Sequence, residues 1–110
     1  MSISSDPVTS LMNATSGAGR SADFGLPVND ISLAIIVNGT VTGGMVSLDV
    51  SHNGVDFILF SDVGYPITTA EGNQKLTASG ESWRYARARI TSPITGGGSV
   101  TCTVMGGGAV

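Results

Sequence analysis

The chain has 110 residues, and Gly, Ser and Thr supply 16, 14 and 11 of them, a composition of turns and strands rather than of helices. With 41% hydrophobic and 12% charged residues it is too apolar and too weakly charged to be disordered throughout, and its length provides for one modest core and no second domain. A net charge of −3 and a pI near 4.7 disfavour generic binding to a nucleic-acid backbone, which needs distributed Lys and Arg. No apolar run approaches the roughly 18 residues that cross a bilayer, so no membrane partner is expected. Met1-Ser2-Ile3-Ser4-Ser5-Asp6 carries neither the basic nor the apolar region of a secretory signal, and synthesis in the cytosol is expected. The one cysteine, Cys102, has no second thiol in the chain and fits a reducing compartment.

Residues 1–27 sustain no period of 2 or 3.6, and an extended N-terminal arm is expected there, with Val8, Leu11, Met12 and Phe24 arguing that it docks. From Asp30 the period becomes 2: Ile31, Leu33, Ile35 and Val37 point one way, Ser32, Ala34 and Ile36 the other. Asn38-Gly39 and Gly43-Gly44 mark bends before a strand over residues 46–51, with Val46, Leu48 and Val50 inward and Ser47, Asp49 and Ser51 toward water. Asn53-Gly54 predicts a tight type I′ turn into a second hairpin strand over residues 55–60. Residues 61–75 read as a connection with a short edge strand at 65–69, followed by a strand over 75–78 and a turn at Ser79-Gly80-Glu81. Residues 83–90 alternate again, with Tyr85, Arg87 and Arg89 on one face and Arg84, Ala86, Ala88 and Ile90 on the face that meets the core. Pro93 and Gly96-Gly97-Gly98 break the chain before a last strand at 100–104, with Val100, Cys102 and Val104 buried, and residues 106–110 read as a flexible tail. The expectation is an all-β chain: an antiparallel β-sandwich over residues 28–110, jelly-roll-like or Ig-like, with the arm over 1–27. A small, partly open barrel is the alternative.

Candidates for chemistry are few. His52 has no second histidine or cysteine near it in sequence, Asp49, Asp56 and Asp62 match no calcium loop, and no metal site is expected. No Ser, His and Asp set stands in a Gly-x-Ser-x-Gly setting, and Gly96-Gly97-Gly98 lacks the lysine and helix of a phosphate loop. The chain is therefore not expected to be an enzyme or to need a cofactor. The most polarised feature is Arg84, Arg87 and Arg89 beside Trp83 and Tyr85. Such a strand can stack bases, but the remaining chain is acidic, and ion pairs with carboxylates within or between subunits are expected, with no nucleic-acid partner.

Residues 39–57, GTVTGGMVSLDVSHNGVDF, the strand Tyr85-Ala86-Arg87-Ala88-Arg89-Ile90 and the stretch TGGGSVTCTV at 95–104 together resemble small β-sandwich virion proteins of tailed bacteriophages. The resemblance implies a capsid decoration or cement protein located in the virion. Its partner would be the major capsid protein, bound on the outer surface of the head, and it would be a homo-oligomer, a trimer. Under that resemblance the arm makes the capsid or subunit contacts through Val8, Leu11, Met12, Arg20 and Phe24. Similar strands occur in tail, fibre and spike components and in carbohydrate-binding sandwiches, which are the alternatives.

Overall fold

Alternating apolar and small polar residues give eight strands among the described residues of the computed structural model, which describes residues 2–4 and 6–109 and the side chains of 6–107. They are β1 (Ser2–Ser4), β2 (Val8–Ala14), β3 (Gly17–Ala18), β4 (Ala22–Asn38), β5 (Gly43–Ser51), β6 (Ile58–Asp62), β7 (Gln74–Thr95) and β8 (Ser99–Ala109). All neighbours are antiparallel, in the order β1-β8-β4-β7-β5-β6, with β2 on β8 and β3 on β7. The chain is thus all-β and antiparallel, as its alternation predicts, but the sheet is continuous.

Two long strands make it continuous. Residues 30–35 of β4 pair with 74–79 of β7, while residues 22–28 of β4 pair with 83–86 of β7, and register shifts separate the two stretches. Each strand therefore belongs to both halves of the sheet, which folds over so that the halves face one another. One half contains β2, β8, residues 30–38 of β4 and residues 74–79 of β7; the other contains β6, β5, residues 83–95 of β7 and the start of β4. The turn expected at Ser79-Gly80-Glu81 is a bend inside β7. Gly80 takes a φ of 82° there, a conformation that costs glycine little, and pairing with β4 continues on both sides of it. Pro93, expected to end the strand, falls instead at the irregular register between Met45 and Gly43 on β5, where a missing N–H is tolerated.

Between the halves lie Ile31, Leu33 and Ile35 of β4, Val100, Cys102 and Val104 of β8, Val46, Leu48 and Val50 of β5, and Ala86, Ala88 and Ile90 of β7, all buried. Each of the larger aliphatic side chains contributes about 1.5–3 kcal/mol by leaving water. The alanines let β7 approach the opposite half closely.

The expected arm differs most from the structure. β2 pairs with β8, Val8 opposite Val104 and Leu11 opposite Cys102, and β3 pairs with β7, Gly17 opposite Ile90. Buried Ser10 fastens the crossing: its hydroxyl donates to the Arg20 carbonyl at 2.7 Å and accepts from the Ala88 N–H at 2.9 Å. Residues 8–23 thereby span from β8 to β7, and the boundary expected at residue 27 falls inside β4. Two register shifts within β2 and the positive φ of Asn13, 46°, break the alternation that would have marked a strand.

Other expectations shift in detail. β6 begins at Ile58, opposite Val50, so the hairpin loop covers residues 52–57, and only Gly54 of the Asn53-Gly54 pair has a positive φ. Asn53 Oδ1 accepts the N–H groups of Val55 and Asp56, which opens the turn wider than type I′. The stretch 65–69 is a connection without a strand; fully buried Ile67 donates its N–H to the Gly44 carbonyl. The stretch expected as a glycine tail continues β8, with Gly106 opposite Ile31, and a Cβ on Gly106 would lie 2.8 Å from the Phe24 ring.

Candidate functional site

The folded sheet turns two faces outward, and only one collects charge. On it β5 and β7 run in register, Ser47 opposite Arg89, Asp49 opposite Arg87 and Ser51 opposite Tyr85. Alternation sends all six side chains to the same side. Asp49, expected to be solvated, is instead 2% exposed. The reason is non-local: two long guanidinium side chains from the neighbouring strand lie across it. Arg89 spans both carboxylate oxygens, Nε to Oδ2 at 2.7 Å and Nη2 to Oδ1 at 3.4 Å, Arg87 Nε reaches Oδ2 at 3.4 Å, and Ser47 Oγ donates to Oδ1 at 3.0 Å. The hydrogen bond to Asp49 pushes the Arg89 pKa up.

Aromatic side chains lie along the same strand, β7, and in the hairpin loop that follows β5. The Arg87 guanidinium stands 4.1 Å from the centre of the Phe57 ring, His52 stacks on Trp83 at 4.4 Å, and the Tyr85 ring covers Gly54. The 52–57 loop brings His52 and Phe57 back over β7, which the wide, side-chain-bonded turn makes possible. At the rim Arg84 pairs with Asp23, Nε to Oδ1 at 3.0 Å, with both side chains nearly half exposed. That hydrogen bond, with a second from the Gly25 N–H, holds the Asp23 carboxyl below its usual range. The three arginines thus all find carboxylates in their own chain. Sequence reasoning singled out the arginines but not Asp49 as their partner, because nothing local connects residues 38 and 40 apart.

The five residues expected as particle contacts separate. Leu11 is buried, Val8 and Phe24 are half-buried against the core, and only Met12, 69% exposed, and Arg20 project outward. Their engagement in the fold follows from β2 and β4 being sheet strands. Cys102 is fully buried in β8 and its pKa is raised from 9.0 to about 12 by desolvation, so its thiol is a core hydrophobe. Among the described residues no group of three or more His, Cys, Asp or Glu is placed to hold a metal.

The opposite outward face carries Lys75 in its rows and Asp30 at its groove amid mostly hydroxyl and apolar side chains. Ser32, Ala34 and Ile36 of β4 lie in register with Met105, Thr103 and Thr101 of β8, and Thr77 and Lys75 of β7 continue the rows. Asn13, Asn38 and Thr101 interlink through their side chains at its β2 end. A shallow groove of about 290 Å³ opens beside Asp30, Ser32, Thr77 and Met105, with Gly106 and Gly107 also in its lining.

No protein-family model matches the chain, and no curated protein matches it in sequence. Among solved structures it is similar to the SPBc2 prophage-derived protein YomS, with a TM-score of 0.62 and 16% sequence identity, covering 97% of this chain and 95% of that one. At that identity the likeness is one of fold, and it spans nearly all of both chains.

Proposed function

We propose that the chain is a structural protein of a bacteriophage virion, a capsid decoration or cement protein that binds the outer surface of the head and stabilises it. The observation that carries this reading is the end-to-end fold likeness to a prophage-derived protein. The hydroxyl face supports it, because Ser and Thr with exposed Ile36 and Met105 dock on protein at little cost, and Asp30 and Lys75 are the charges such a contact has to pair. In this reading the protein acts without cofactor or catalysis, as a homotrimer whose avidity multiplies modest contacts with the major capsid protein. Met12 and Ile36, both exposed, are its expected contacts rather than the buried Leu11.

The test is quantitative mass spectrometry of purified particles, scaled against the major shell protein. Copy number comparable to the shell is the expected result; a few copies per particle would place the protein in the tail, fibre or spike, and its absence would overturn a virion role. Met12→Glu with Ile36→Glu is expected to cut particle occupancy at least tenfold with the fold intact, which circular dichroism checks. Unchanged occupancy would remove the hydroxyl face from the interface.

A further inference from the structure

The three arginines of β7 differ in how much of each guanidinium is used. Arg84 meets Asp23 through Nε and Nη2 at 3.0 and 3.3 Å, and Arg89 takes both oxygens of Asp49. Arg87 makes one bond, from Nε to Asp49 at 3.4 Å, and its Nη groups donate to nothing else among the described residues. Its side chain is 26% exposed, and stacking on Phe57 at 4.1 Å fixes the guanidinium in place. Asp49 is already satisfied by Arg89 and Ser47, so the cluster keeps one positive charge on a chain whose net charge is −3.

We propose that Arg87 anchors an oxyanion-binding site whose ligand is a carboxylate. A fixed, planar guanidinium with free Nη donors is the geometry that a carboxylate matches with two parallel hydrogen bonds. Charge selects the same ligand. A monoanion neutralises the surplus, whereas a phosphate dianion would leave negative charge near Asp49, Asp56 and Asp62. Neither Asp56 nor Asp62 pairs with Arg87, and Asp56 is held by Asn53 Nδ2 at 3.0 Å. Leu59, 51% exposed, shares the face of the site, being in register with Asp49 and hence with Arg87. That neighbourhood favours a carboxylate carried by a docked protein, and for this source alone the inference rests on the proposed virion role.

The experiment follows the arginine Nε–Hε resonances of the full chain during titration with sodium acetate, against sodium chloride and inorganic phosphate at equal ionic strength. The expected result is a saturable shift at Arg87 with acetate, weaker binding of phosphate, and a loss of about fivefold in acetate affinity on Arg87→Lys, which keeps the charge and loses the fork. A linear response, one shared equally by Arg84, or tighter binding of phosphate would overturn the site. Arg87→Lys is further expected to lower particle occupancy; acetate binding with occupancy unchanged would overturn the protein source. Should the wild-type chain not bind particles at all, the virion reading fails while the acetate titration still decides the site.

Discussion

Where β8 and β4 turn outward, Ser32, Ala34 and Thr103 make no side-chain bond to another described residue, and only Thr101 is tied, to Asn13 and Asn38. Where β5 and β7 turn outward, Asp49 is shut away beneath two arginines. Both faces obey the same alternation, yet one is covered mostly by small and hydroxyl residues that need no charged partner and the other by an ion triad that does. Hydroxyls cost little on a pleated surface. A carboxylate withdrawn from water is stable only while its donors remain, so the second face is specified by a few residues and the first by many interchangeable ones.

The comparison can be broken by substitution. Arg89→Ala removes the two-point partner and leaves Asp49 with the Ser47 hydroxyl and one long bond from Arg87; an expected loss of about 2–3 kcal/mol in urea unfolding allows for the partial exposure of the arginines. Asp49→Asn leaves the arginines free to turn to water and is expected to cost less, about 1 kcal/mol. If the two variants lose equally, desolvation of the carboxylate is not what governs this face. Between the faces, Cys102 provides a pH test. Its folded pKa stands above the unfolded one, so the contribution is complete below about 9 and lost as pH rises toward about 12, at up to about 1.4 kcal/mol per pH unit, and Cys102→Ala should flatten that limb. Smallest of all, Thr77→Ala on the hydroxyl face is expected to stay within about 0.5 kcal/mol of the parent, and a loss above 1 kcal/mol would show that this face too depends on particular residues.

What the sequence reveals follows the same division. Ile31, Leu33 and Ile35, Val46, Leu48 and Val50, and Ala86 and Ala88 were legible because one face of each strand is buried and a period of 2 records it. Asp49 obeyed the period too, and misled for that reason: its parity faces outward, and its burial depends on how far Arg87 and Arg89 reach across a strand pair. The continuity of β7 through Gly80 was hidden because glycine marks bends and ends alike. β2 was hidden because its bulges erase the period and its partner lies at the far end of the chain. In the candidate site the arginines were visible from sequence, while their shared carboxylate and the free fork of Arg87 were visible only from register.

The pairing of β2 with β8 has a consequence in time. Asn13 and Thr101, which share a hydrogen bond, are 88 residues apart. At roughly 5–20 residues per second, a ribosome takes on the order of 4–18 s to make the partner after β2 has emerged. Through that interval β2 is an unpaired strand, the state in which apolar edges aggregate. Its broken alternation, with Thr9, Ser10 and Asn13 interrupting Val8, Leu11 and Met12 so that they form no continuous apolar row, lets it wait in water. The features that disguise it as a loose arm in the sequence are those that keep it soluble until β8 arrives.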